Sequence, residues 1–179
     1  VAGAAALLVQ LHPAWTSQQV KSALMSTAGP AWGNSQRTAE AKVTLEGAGL
    51  INVPRANDPQ LFTNPASISL GELDITGGAV TRDTLVQLSD AGGGAGTWTV
   101  TLAPQSATTG VTITPPPLVT MAPGGDLSLP VSVHAAATAT VGDQMGFIVL
   151  TKGTVARRIP YYFEVVKPAL ANVPATELK

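Results

Sequence analysis

The sequence predicts a mainly β chain, an antiparallel sandwich of about seven short strands preceded by a helical segment. Three observations carry this. Residues 66–167 alternate apolar and polar side chains with a period of two, the mark of strands with one wet face. Glycine and proline clusters punctuate that alternation as turns do. Residues 1–56 are instead rich in Ala, Leu and Gln and follow a helical period.

Composition limits what such a chain can do. Its 179 residues are 45% hydrophobic and only 12% charged, with ten Lys and Arg against eleven Asp and Glu. A net charge of −1 excludes a basic nucleic-acid-binding face and a polybasic membrane contact. With no cysteine there is no disulfide, thiolate metal site or cysteine nucleophile. The longest apolar run, Val1 to Leu11, is interrupted by Gln10 and falls short of the roughly 20 residues of a membrane span. It lacks an initiator Met and a basic flank, so it does not read as a signal peptide. A chain opening inside an apolar run suggests a cut through a helix, hence a piece of a larger polypeptide.

In the helical segment, Val1 to Leu11 reads as a helix apolar nearly all round, of the kind buried in large proteins. His12-Pro13 ends it, because the residue before proline leaves the helical region. A second helix runs from Ser17 to about Thr27, with Thr16 and Gln19 as a capping box. Val20, Ala23, Leu24 and Thr27 form its apolar face, and Gly29-Pro30 stops it. Ala31 to Thr44 reads as a polar loop, and Gly47–Val53 as a glycine turn into a short last element. Residues 57–65, bounded by Pro54 and Pro65, read as a linker.

Strands are expected at Ser67–Leu73, Val80–Leu88, Thr97–Leu102, Val111–Thr114, Leu127–Val133, Met145–Thr151 and Ile159–Val165. Trp98, Val100 and Leu102 share one face, as do Leu127, Leu129, Val131 and Val133, and Ile159, Tyr161, Phe163 and Val165. Pro130 and Pro160 cannot donate to a ladder and are expected at an edge or bulge. About seven strands in some 100 residues fit an immunoglobulin-like or fibronectin-type sandwich. Residues 168–179 read as a linker or disordered tail.

Candidate chemistry is sparse. A nucleophilic triad needs a histidine oriented by a carboxylate, and only His12 and His134 exist. His12 stands at a helix end, where it interacts well with the dipole. His134 lies on the outward phase of a strand. Two distant histidines and no cysteine cannot close a zinc site. Asn57-Asp58 and Gly142-Asp143 offer one carboxylate each and suit turns better than calcium. Glu72 and Asp74 are the nearest approach to a catalytic carboxylate pair, with nothing marking a cleft. Gly92–Gly96 lacks the Lys-Ser or Lys-Thr of a phosphate loop and reads as a mobile hairpin loop. Arg157-Arg158 is too small a basic spot for nucleic acid. No catalytic, cofactor-binding or metal-ligating residue is therefore expected, and no cofactor.

Three blocks carry a resemblance. Val1-Ala2-Gly3-Ala4-Ala5-Ala6-Leu7-Leu8, Pro13 through Ala28 and Gly47-Ala48-Gly49-Leu50-Ile51-Asn52-Val53-Pro54-Arg55-Ala56 stand in order and at plausible spacing. Together they resemble the C-terminal helices of the catalytic domain of subtilases, the subtilisin-like serine proteases. Gly96–Val100, Ala122–Gly125, Gly142–Thr151 and Arg158–Tyr161 are similar to the fibronectin-III-like domain that follows it in large secreted members. The resemblance implies that residues 1–56 are the helical remnant of a subtilisin-like α/β catalytic domain. It implies that the nucleophilic Ser falls just upstream of Val1, and that no triad residue carries over onto this chain.

The expected function is thus that of the C-terminal segment of a secreted or extracellular serine endopeptidase, inactive by itself. Its sandwich would stabilise the enzyme or position protein and peptide substrates. Expected partners are the rest of the catalytic domain, those substrates, and a second copy joined through the exposed N-terminal helix. Nucleic acid and a membrane span are not expected. An independent β-sandwich module for polysaccharide or cell-surface ligands, with aromatic side chains on one outer face, is the alternative. A purely structural spacer is a third reading, suggested by the Thr-rich, low-charge strands.

Overall fold

The computed structural model describes residues 1–168. Of the expected tail, residues 169–179 lie outside the described residues. The chain is mainly β, with four helices and nine strands among the described residues. The helices are α1 (Ala2–Leu11), α2 (Ser17–Ser26), α3 (Val43–Glu46) and α4 (Val53–Asn57). The strands are β1 (Leu61–Asn64), β2 (Ile68–Asp74), β3 (Val80–Asp90), β4 (Gly96–Ser106), β5 (Val111–Thr114), β6 (Leu118–Met121), β7 (Asp126–Ala135), β8 (Gly142–Lys152) and β9 (Val155–Val166).

The caps explain the helices. In α2 the Thr16 hydroxyl accepts from Gln19 N while the Gln19 side chain accepts from Thr16 N, so both halves of the capping box are made. In α4 the Asn52 side chain accepts from Arg55 N. Gly49, at φ 109°, passes against the Gly29 carbonyl so closely that a Cβ would overlap it. There Gly29 and Leu50 exchange backbone hydrogen bonds of 2.8 and 2.7 Å.

The strands form two sheets, β1-β3-β7-β5 and β2-β9-β8-β4-β6. Leu88, Leu129, Val131 and Val133 from the first meet Trp98, Leu150, Ile159 and Phe163 from the second in one buried cluster. Expected inward residues are inward, except that Leu102 is exposed.

Several expectations are corrected. There are nine strands, not seven, because β1 and β6 are four-residue strands too short to show alternation. β1 occupies part of the expected linker 57–65 and is buried at Leu61, Phe62 and Thr63. The sheets are not wholly antiparallel, since β2 runs parallel to β9. Residues 75–154 lie between those two strands, so no tight turn forces them to oppose. Pro130 and Pro160 lie in central strands rather than edge ones, but where one neighbour is missing. β5 reaches β7 only from Ser132 onward, and β2 reaches β9 only from Tyr161 onward.

Helices α1, α2 and α4 pack on one another and on β1 through Leu8, Val20, Ala23, Leu24, Ala56 and Phe62. Ser22 Oγ accepts from Thr63 N at 2.6 Å, tying α2 to β1. The outer face of β8–β9 is not wet as expected, because α3 packs against both strands there.

Candidate functional site

The side chains weighed as chemistry do not converge. His12 Nε2 meets Asn57 Oδ1 at 2.8 Å, and its ring stacks on Trp15 with centroids 3.7 Å apart. It therefore joins α1 to α4 instead of turning back on the last carbonyls of its own helix. His134 Nδ1 pairs with Thr81 Oγ1 at 2.9 Å on the exposed face of the other sheet. Asp74 accepts from Thr76 N at 2.8 Å, and its contacts with Thr76 hold its carboxyl below the usual range. Asp143 accepts from the Tyr162 hydroxyl at 2.9 Å, which pushes that phenol up. Among the described residues no three His, Asp or Glu gather as a metal group. Five of the eight aromatic side chains, Phe62, Trp98, Phe147, Tyr161 and Phe163, are buried, which leaves little for an outward stacking platform.

The Gly92–Gly96 loop is tied down. Asp90 Oδ1 accepts from Gly92 N at 2.9 Å and Gly94 N at 2.7 Å, and its Oδ2 accepts from Gly124 N at 2.8 Å. These three N–H groups, Gly124 foremost, hold the Asp90 carboxyl below its ordinary range. Lys152 donates to the carbonyls of Gly93 and Ala95, and Trp98 Nε1 donates to Gly94 O at 2.7 Å.

Two arginines that looked like a minor basic spot instead join the helical segment to the sheet. Arg157 is buried and donates to three carbonyls: Pro59, Ala156 at 2.8 Å and Asp58 at 3.0 Å. Burial, with Arg55 nearby, pulls its guanidinium pKa down. Arg158 lies 3.6 Å from the Phe147 ring centroid and approaches Glu40 at 2.5 Å and Glu46 at 3.7 Å. Beside them Gln105 accepts from Val43 N at 2.8 Å and donates to Ala41 O at 2.9 Å, as a strand neighbour would. The expected polar loop 31–44 is thus fastened to the five-stranded sheet. Sequence reasoning missed Glu40, Glu46 and Gln105, since nothing local links them to β4 or β9.

A concave apolar surface lies on the helices. A groove of about 490 Å³ between α1 and α2 is lined by Val1, Ala5, Val9, Val20, Leu24 and Met25. Leu7, Val9 and Leu11 stay at least half exposed. A second groove, about 670 Å³, runs over Leu85 and Pro130 beside Pro115–Pro117. Neither is lined by a histidine. What the helical face can do is bind another apolar surface.

No family model matches the chain, and no curated protein matches it. Three solved structures resemble it in part. One is a Porphyromonas gingivalis W83 protein of unknown function, at 16% identity and TM-score 0.37, over 58% of this chain and 46% of that one. The VesB protease of Vibrio cholerae aligns at 15% identity and TM-score 0.39, over 78% and 41%. A family 123 glycoside hydrolase from Clostridium perfringens aligns at 14% and 0.33, over 56% and 23%. The chain therefore spans less than half of each, and likenesses of this size carry no functional weight.

Proposed function

We propose that this chain is the C-terminal part of a secreted subtilisin-like serine endopeptidase, with residues 1–56 from its catalytic domain and a fibronectin-III-like sandwich behind them. One observation supports this above the rest. The three blocks that resemble subtilases pack together as α1, α2 and α4 around Leu8, Val20, Ala23 and Ala56. Parts of one domain should do so. The apolar groove and the exposed Leu7, Val9 and Leu11 fit a helix meant to be covered by further structure.

On this reading α1 continues the helix whose start carries the nucleophile, and the chain holds no triad residue of its own. It supplies the scaffold of that helix, and the sandwich braces it through Arg157 and Arg158. The parent protein would open peptide bonds through an acyl-enzyme, its serine activated by a histidine base. A serine-directed phosphonate applied to the natural protein, followed by peptide mapping, tests the proposal. The expected label lies directly before Val1, and an unlabelled or differently labelled protein would sink it.

A further inference from the structure

Glu40, Glu46 and Arg158 form a cluster at the seam between the helical segment and the five-stranded sheet. It joins the segment Gly29–Leu50 to β9. Glu46 Oε2 accepts from Ala31 N at 2.7 Å, which closes the segment on itself. Its other oxygen, Oε1, faces Arg158 Nη2 at 3.7 Å, and Glu40 Oε1 faces the same nitrogen at 2.5 Å. The Glu46 side chain is 1% exposed. Both Oε1 atoms and Arg158 Nε and Nη2 are buried without an aligned hydrogen-bond partner. Two carboxylates thus crowd one guanidinium whose nitrogens are aimed past them. Buried acceptors left this way are costly, and two carboxylates on one site resist joint ionisation.

We propose that Glu46 holds a proton toward Glu40 beside Arg158, and that this proton closes the seam between residues 29–50 and the five-stranded sheet. A single proton lets the Glu46 carboxyl donate to its acidic neighbour instead of repelling it. It also reduces the cluster from two negative charges and one positive to a balanced pair. The surroundings supply no competing charge. β8 presents Phe147, which stacks on Arg158, and β4 presents the uncharged Gln105. Glu40 and Arg158 are the charged groups that face Glu46. Burial comes first, then the neighbouring Glu40, in raising the Glu46 carboxyl above the usual range, against the lowering pull of the Ala31 N–H and Arg158.

The sign follows from that direction. A carboxyl whose folded pKa is raised stabilises the fold while protonated, below its unfolded pKa, and that stability is lost as pH rises through the folded value. The seam is therefore tightest in mild acid and loosens toward neutral and alkaline pH. What would be released includes Trp32 and Arg37, already exposed on the segment.

The Ala31 amide reports directly, since it donates to Glu46. In a pH titration of the isotope-labelled full chain by NMR, its shift should move with a midpoint above the ordinary glutamate range. Above that midpoint its hydrogen exchange, corrected for intrinsic rate, should quicken about tenfold, the factor that about 1.4 kcal/mol of local opening corresponds to. In Glu46→Gln, whose amide keeps the acceptor and adds a donor toward Glu40, the titration should vanish and the amide stay protected. Glu40→Gln should bring the Glu46 midpoint down. A midpoint at or below 4.3 in the unsubstituted chain, or an unchanged titration in Glu46→Gln, overturns the proposal.

Discussion

Arg157 sets the terms at the scale of a single residue. Its guanidinium satisfies three carbonyls at the seam between α4, β1 and β9, and no carboxylate lies within ion-pair reach of it among the described residues. Arg157→Leu would leave the Pro59 and Asp58 carbonyls without this donor, at about 1 kcal/mol each, while Ala156 O keeps Arg55 Nη2 at 3.4 Å. We expect a loss of about 2 kcal/mol in denaturant unfolding, with the slope unchanged, and Arg157→Lys should recover only part, since an ammonium lacks the planar fork. An unchanged midpoint in Arg157→Leu would show the clasp to be idle. None of this was legible beforehand: Arg157 sat in a basic pair, and its acceptors Asp58 and Pro59 lay in what read as a linker. His12 and His134 were easier, because two histidines with no companion carboxylate rarely make a catalytic pair, whatever the fold.

Among elements, those with local causes behave as their sequences suggest. The α2 capping box is made from residues three apart, so Thr16→Ala should cost about 1 kcal/mol, read as a fall in the thermal midpoint. The turn between β3 and β4 differs, since its order comes from Asp90 bridging Gly92, Gly94 and, from the β6–β7 turn, Gly124. A carboxyl held low in the fold contributes stability above its unfolded pKa and loses it as pH falls through the folded one. Asp90→Asn should therefore be less stable than the unsubstituted chain at neutral pH, the gap closing in acid below about pH 4. A gap that persists in acid would mean that shape, not charge, makes this contact. Glycine runs suggest mobility in a sequence, and here one nearby carboxylate removes it.

For the whole molecule, the question is what covers the helices. The two sheets enclose their own core, whereas α1 leaves Val1, Leu7, Val9 and Leu11 open to solvent. We expect the isolated chain to associate with itself through this face, seen as a rise in light scattering with concentration, and Val9→Glu to suppress it. Strictly monomeric behaviour at every concentration would count against an unpartnered face. On the proposed reading the triad lies outside this chain, so the chain alone should not turn over peptide substrates.

Periodicity, caps and turn residues decided, from sequence alone, that this protein is mainly β behind a helical segment, which residues of β4, β7 and β9 face inward, Leu102 apart, and where α1 and α2 stop. Those features depend on neighbours a few positions away. Only the tertiary structure decided that β2 would run beside β9, that α3 would cover the outer face of β8 and β9, and that Glu46 would meet Arg158. Contacts of that kind join segments far apart along the chain. Their energy is realised only after a long loop has closed, so no short window of sequence records them.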